Sequence, residues 1–174
     1  GEAMASGTKH FLYNQREDWL RQGWMEGLTL REDGLVLAGD GRGSYTSMAL
    51  DTTTPETVWH RLRLVSHVPA NAQLRLYLYC SDESGVPPPF RPEGREDTGL
   101  DDWLASAPAP RREEFFRVCA QQVYDDPTDL TLYGCKGRCL WFCLTFANYD
   151  REEMRLESIR LEFPRIAFID YLPQ

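Results

Sequence analysis

The 174 residues include 27 Asp and Glu against 19 Lys and Arg, a formal net charge of −8, with 42% hydrophobic and 12% aromatic residues. That length and apolar content suit one domain with an adequate core and exclude a disordered tail. The acidic balance argues against nucleic acid and direct membrane binding, both of which select basic surfaces.

No apolar run approaches the length of a transmembrane helix, and the opening GEAMASGTKHF has no signal-peptide core. Residues before or around Met4 read as a non-native appendage and are set aside. The cysteines, Cys80, Cys119, Cys135, Cys139 and Cys143, form an odd set. Cys139 and Cys143 fall on one strand, roughly 13 Å apart at about 3.3 Å per residue, too far to bridge. Cysteines in apolar runs pack as small hydrophobes, which favours synthesis in a reducing cytosol.

Residues 1–27 read as an N-terminal lead-in, with Trp19, Leu20 and Trp24 marking a short helix or an irregular entry. A sandwich domain is expected over 28–163. Leu28–Leu30 and Leu35–Ala38 flank Glu32-Asp33-Gly34, a hairpin signal. After a glycine-rich turn at 39–43, Ser44–Leu50 alternates. Then come the strongest early strands, Thr57–Val65 and Gln73–Cys80. In the first, Val58, His60, Leu62 and Leu64 oppose Trp59, Arg61, Arg63 and Val65. In the second, Leu74, Leu76, Leu78 and Cys80 oppose Arg75, Tyr77 and Tyr79. Such period-2 alternation places one face of each strand in a core.

The pattern breaks at about 81–133, read as a helical insertion between strands. VPPPFRPEGRE cannot be a central strand. Asp97 or Thr98 is expected to cap a short helix through Ala105, and Pro110 to sit in the first turn of a second helix reaching about Tyr124. The strands resume at Arg138–Phe146, apolar on both faces and so expected to be central, and at Arg155–Phe163, which Pro164 is expected to stop. Residues 164–174 read as a C-terminal tail or linker, with Ile166, Phe168, Ile169, Tyr171 and Leu172 as a docking surface. The whole indicates a mainly β protein, an antiparallel jelly-roll-like β-sandwich.

No catalytic constellation emerges. His10, His60 and His67 have no partners at metal-ligand spacing, and the CxxxC of Cys135 and Cys139 lacks a second pair to complete a zinc site. The acidic pairs suit helix starts and solvated turns better than a glycosidase acid and base. GDGRG lacks the lysine-serine ending of a phosphate loop, and no GxSxG occurs. No enzyme activity, cofactor or metal is therefore expected. One candidate binding face stands out: Trp59, Arg61, Arg63, Arg75, Tyr77 and Tyr79, an arginine-aromatic surface if their two strands pair. Such a surface suits a protein interface or a glycan, unless the insertion covers it.

Four blocks in order, ETVWHRLRL (56–64), LRLYLYCSD (74–82), DLTLYGCKGRCLW (129–141) and IRLEFPRIAFIDYLPQ (159–174), resemble the phage tail protein domain of phages and phage-derived contractile injection systems. The resemblance spans about Leu28 to Gln174. Cys139 departs from the family's usual tyrosine, and Ala167-Phe168 from its Ser-Tyr. It implies a non-enzymatic structural subunit, made in the cytoplasm and incorporated into a tail or phage-like particle, whose partners are other tail and baseplate proteins. Ending at Gln174 reads as an excised domain or a short version. A carbohydrate-binding jelly-roll module is the alternative. The oligomeric state is left open.

Overall fold

Strands with alternating apolar residues divide between two antiparallel sheets packed face to face, the expected β-sandwich. The computed structural model describes residues 6–38 and 41–166. Its elements are β1 (Ser6–Tyr13), α1 (Arg16–Arg21), β2 (Gly23–Glu26), β3 (Thr29–Arg31), β4 (Gly34–Leu37), β5 (Gly41–Ser47), β6 (Leu50–Asp51), β7 (Arg61–His67) and β8 (Ala72–Ser81). After a 3-10 turn at Pro88–Phe90 come α2 (Leu100–Ser106), α3 (Ala109–Cys119), β9 (Gln122–Asp125), β10 (Asp129–Thr131), β11 (Cys139–Asn148) and β12 (Met154–Ile166). None of the helices described is long and apolar enough to cross a membrane.

One sheet, here the open sheet, runs β10-β7-β12-β4-β3, with β1 also on β12. The other, the covered sheet, runs β2-β5-β11-β8-β9, with β6 also on β11. Between them lies the main core, to which Leu62, Leu64, Leu76, Leu78, Phe142 and Leu161 contribute. A second apolar layer lies outside the covered sheet, where Tyr77, Tyr79, Trp141 and Cys143 meet Leu100 and Leu104 of α2 and Phe115 and Phe116 of α3. As its two-faced apolar pattern requires, β11 is central, flanked by β8 over its full length.

Several expectations are corrected by the packing. The lead-in is part of the sandwich: β1 pairs with β12 from Ser6↔Ile166 to Tyr13↔Ile159. Tyr13 and Trp19 are fully buried, and the Tyr45 hydroxyl donates to the Trp19 carbonyl at 2.6 Å. Helix α1 forms because the Asp18 carboxylate accepts from the backbone N–H groups of Asn14 and Gln15, at 3.1 and 2.9 Å. The hairpin forms with Glu32-Asp33 as its two-residue loop and Arg31 opposite Gly34. Gly34 has φ +123, and a Cβ there would strike the Leu156 carbonyl, so this position requires glycine.

Pro164 does not stop its strand. Beyond Glu162↔Arg61 the β7 ladder has ended, while β1 still pairs alongside through Thr8↔Pro164. A residue without an N–H is tolerated where one flank is unpaired. Nor is the insertion wholly helical. Helix α3 ends at Cys119 rather than near Tyr124 because Gln121 caps the covered sheet: its backbone N–H donates to Leu78 O at 3.0 Å. Its side chain accepts from Cys80 N at 2.9 Å and donates to Cys80 O at 3.0 Å. Strand β9 then joins β8 in one sheet, and β10 joins β7 in the other.

Candidate functional site

The six residues expected to share one surface do not. Strands β7 and β8 belong to different sheets, so the arginine-aromatic face that required their pairing is not formed. Trp59 is fully buried, packed against Phe11 and Phe163. Tyr77 and Tyr79 are buried under the insertion. Arg61 and Arg63 lie on the outer face of the open sheet, with Arg61 gripping Asp129 in a fork at 3.1 and 2.9 Å. Arg75 holds Asp125 at 2.6 Å at the edge of the covered sheet. Of the expected docking tail, Ile166 ends β12, and Phe168, Ile169, Tyr171 and Leu172 lie outside the described residues.

Trp59 breaks the expected alternation for a reason. It and Leu62 both enter the core, three residues apart, which a continuous strand cannot arrange. The segment before β7 is held instead by the loop before β11. Trp59 donates from its backbone N–H to Cys135 O at 2.9 Å and from Nε1 to Gly137 O at 3.0 Å. Val58 bridges to Lys136. The end of β8 closes the junction, since the Asp82 carboxylate accepts from the backbone N–H groups of Glu56 and Arg138, both at 2.8 Å. Those two bonds hold the Asp82 carboxyl below its ordinary range. Gly137 packs so closely on Ser81 that a Cβ would clash with its backbone. Cys135, half of the CxxxC pair, engages Cys80 in the core, where that hydrogen bond and burial push the Cys80 thiol up. Three of the four sequence blocks therefore meet through these bonds in one junction, and Phe163 of the fourth packs against Trp59.

A different site appears where α3 overhangs the end of the covered sheet. A cavity of about 200 Å³ is lined by Arg42 of β5, Arg75 and Tyr77 of β8, Thr145 of β11, and Glu113 and Arg117 of α3. Its floor follows from register: Arg75 lies opposite Thr145, and Ala147 opposite Arg42. Its roof follows from helical spacing, since residues four apart share a side of α3. Burial pushes the Glu113 carboxyl up, against the opposing pull of Arg117 and Arg42. Hydrogen bonding to Asp125 and then Tyr77 raises the Arg75 guanidinium, and the Tyr149 hydroxyl does the same for Arg42. Chemically this is a small, cationic recess with one internal carboxylate. Sequence reasoning missed Arg42, Glu113, Arg117 and Thr145. They come from separate elements, and only the Glu113–Arg117 spacing offered a local signal.

No family model and no curated protein sequence matches the chain. Among solved structures it is similar to the Glycosylation Associate Protein (Gap123) complex from Streptococcus agalactiae, with TM-score 0.48 and 10% identity. That likeness covers 91% of this chain but 26% of the other, so the chain spans about a quarter of that protein's length. It is also similar to FLHE, with TM-score 0.38 and 12% identity over 92% of this chain and 98% of that one.

Proposed function

We propose that the chain is a non-enzymatic assembly module of a phage tail or phage-like contractile injection apparatus, acting through contacts with other tail and baseplate proteins. The observation that carries this reading is the junction of Trp59, Asp82 and Gly137. The blocks that resemble the phage tail protein domain are far apart in sequence, yet three of them touch through side-chain and backbone hydrogen bonds. Blocks that resemble one family in order and also meet in space form a coherent set, which supports reading the resemblance as one of fold and role together. The glycan alternative rested on a surface that is not assembled, and no separate observation favours it.

The test is location. Tail-like particles purified from the source cells by density gradient are probed for this chain, and particles are prepared again after its gene is deleted. The reading expects the chain to sediment with the particles and its loss to yield incomplete ones. Intact particles forming without it, with the chain found only in the soluble fraction, would overturn the reading.

A further inference from the structure

We propose that the cavity between α3 and the covered sheet receives one carboxylate side chain, an Asp or Glu, from a partner polypeptide. The first ground is charge. Three guanidiniums and one carboxylate line the recess in a protein whose net charge is −8, so the local field opposes the global one and favours a single anion. Guanidinium forks match a carboxylate in shape as well as sign. Arg75 is anchored from outside by Asp125. Arg117 makes no ion pair among the described residues, although Glu113 lies one turn away on the same helix.

Size and surroundings narrow the ligand. A volume of about 200 Å³ falls short of the ~300–1,000 Å³ of small-molecule pockets. That suits the end of a side chain. Glu113 disfavours a second negative charge on the guest, and so disfavours a phosphate dianion. The flanks carry exposed apolar residues: Tyr149, 63% exposed, whose hydroxyl raises the Arg42 guanidinium, and Val123, 50% exposed, the cross-strand neighbour of Tyr77. Tyrosine and arginine are enriched in protein interfaces.

The inference is independent of the tail-assembly reading, and either can fail alone. The test is an NMR titration of the full chain with an acetylated, amidated Gly-Glu-Gly peptide, its Gly-Gln-Gly counterpart, glucuronate and inorganic phosphate. The glutamate peptide is expected to give saturable shifts at backbone amides around Arg42, Arg75, Thr145 and Arg117, with the glutamine peptide at least about tenfold weaker. Arg42→Gln and Arg117→Gln, both exposed and outside the core, should each weaken binding about tenfold. Glu113→Gln should strengthen it by about two- to fivefold, because a like charge is removed. This opposite sign is something a purely structural role would not produce. Equal binding of the glutamine peptide, tighter binding of glucuronate or phosphate, or no saturable shift up to the peptide's solubility limit would each overturn the proposal.

Discussion

The two sheets have opposite outer faces, although both are built from alternating strands. Outside the covered sheet, Tyr77, Tyr79 and Trp141 are buried beneath α2 and α3. The Trp141 Nε1–H donates to Asp101 of α2 at 2.9 Å, and the same carboxylate oxygen accepts from Ala49 N at 3.0 Å. Outside the open sheet, mostly charged residues lie in cross-strand rows: Asp129, Arg63 and Arg160 in one; Thr131, Arg61 and Glu162 in the next. No helix covers those rows among the described residues. The difference is one of residue chemistry, since aromatic side chains facing outward need a second layer to leave water. Arginines and carboxylates instead satisfy one another at the surface. Strand β8 contains the transition within itself: Tyr79 and Tyr77 lie under the helices and Arg75 lies where the cover ends. The cationic cavity sits on that boundary.

This contrast can be broken most sharply at Trp141. Trp141→Ala should cost about 3–5 kcal/mol in urea unfolding, and Phe115→Ala a similar amount from the helical side. A loss under about 1 kcal/mol for Trp141 would mean the helices contribute little to holding the covered sheet. Arg63→Ala, on the open face, should stay within about 0.5 kcal/mol of the parent. A cost approaching that of Trp141→Ala would show that this face is packed against something.

Acid should act on the open face before the aromatic layer. Partners hold Asp33, Asp129 and Glu153 below their ordinary range: Arg31 for Asp33 and Glu153, and Arg61 for Asp129. A carboxyl depressed in the folded state contributes stability above its unfolded pKa, near 4. That contribution is lost as pH falls through the lower, folded value. The urea midpoint should therefore drop below about pH 4, and Asp129→Asn should make that drop shallower. An unchanged slope would show the Arg61 pair to be inconsequential.

The smallest effect is expected at the boundary. Glu113 is shifted the other way, so its charge is disfavoured in the folded state at neutral pH, and that penalty disappears as acid protonates it. Glu113→Gln should raise the thermal midpoint slightly at pH 7, with the gain vanishing in acid. A fall in midpoint would instead indicate that the Glu113 carboxylate holds Arg42 or Arg117 in place.

Much of the fold was legible. Strands β8, β11 and β12, the Glu32-Asp33 loop and the presence of both insertion helices follow from alternation, turn residues and proline placement, although α2 starts after Gly99 rather than from a cap at Asp97 or Thr98. The inward face of β8 is the one the pattern predicts, and β11, apolar on both faces, is buried on both. Less was legible of the site. Period 2 says that Arg75, Tyr77 and Tyr79 share a face, but it does not say which strand lies beside them. Pairing Tyr77 with Cys143 and Val123 rather than with a residue of β7 depends on contacts dozens of residues away. Trp59 departs from its pattern because a hydrogen bond to Gly137 turns it inward against its neighbours' alternation.

By itself, then, the sequence determined which residues of each strand leave water together, because side-chain direction alternates with the backbone whatever the neighbours are. Only the tertiary structure decided which faces meet, that β1 belongs to the open sheet, and that Arg42, Arg75, Glu113 and Arg117 converge on one recess. Sheet pairing and helix docking are non-local: their free energy comes from area and hydrogen bonds shared between distant segments, which no local pattern encodes.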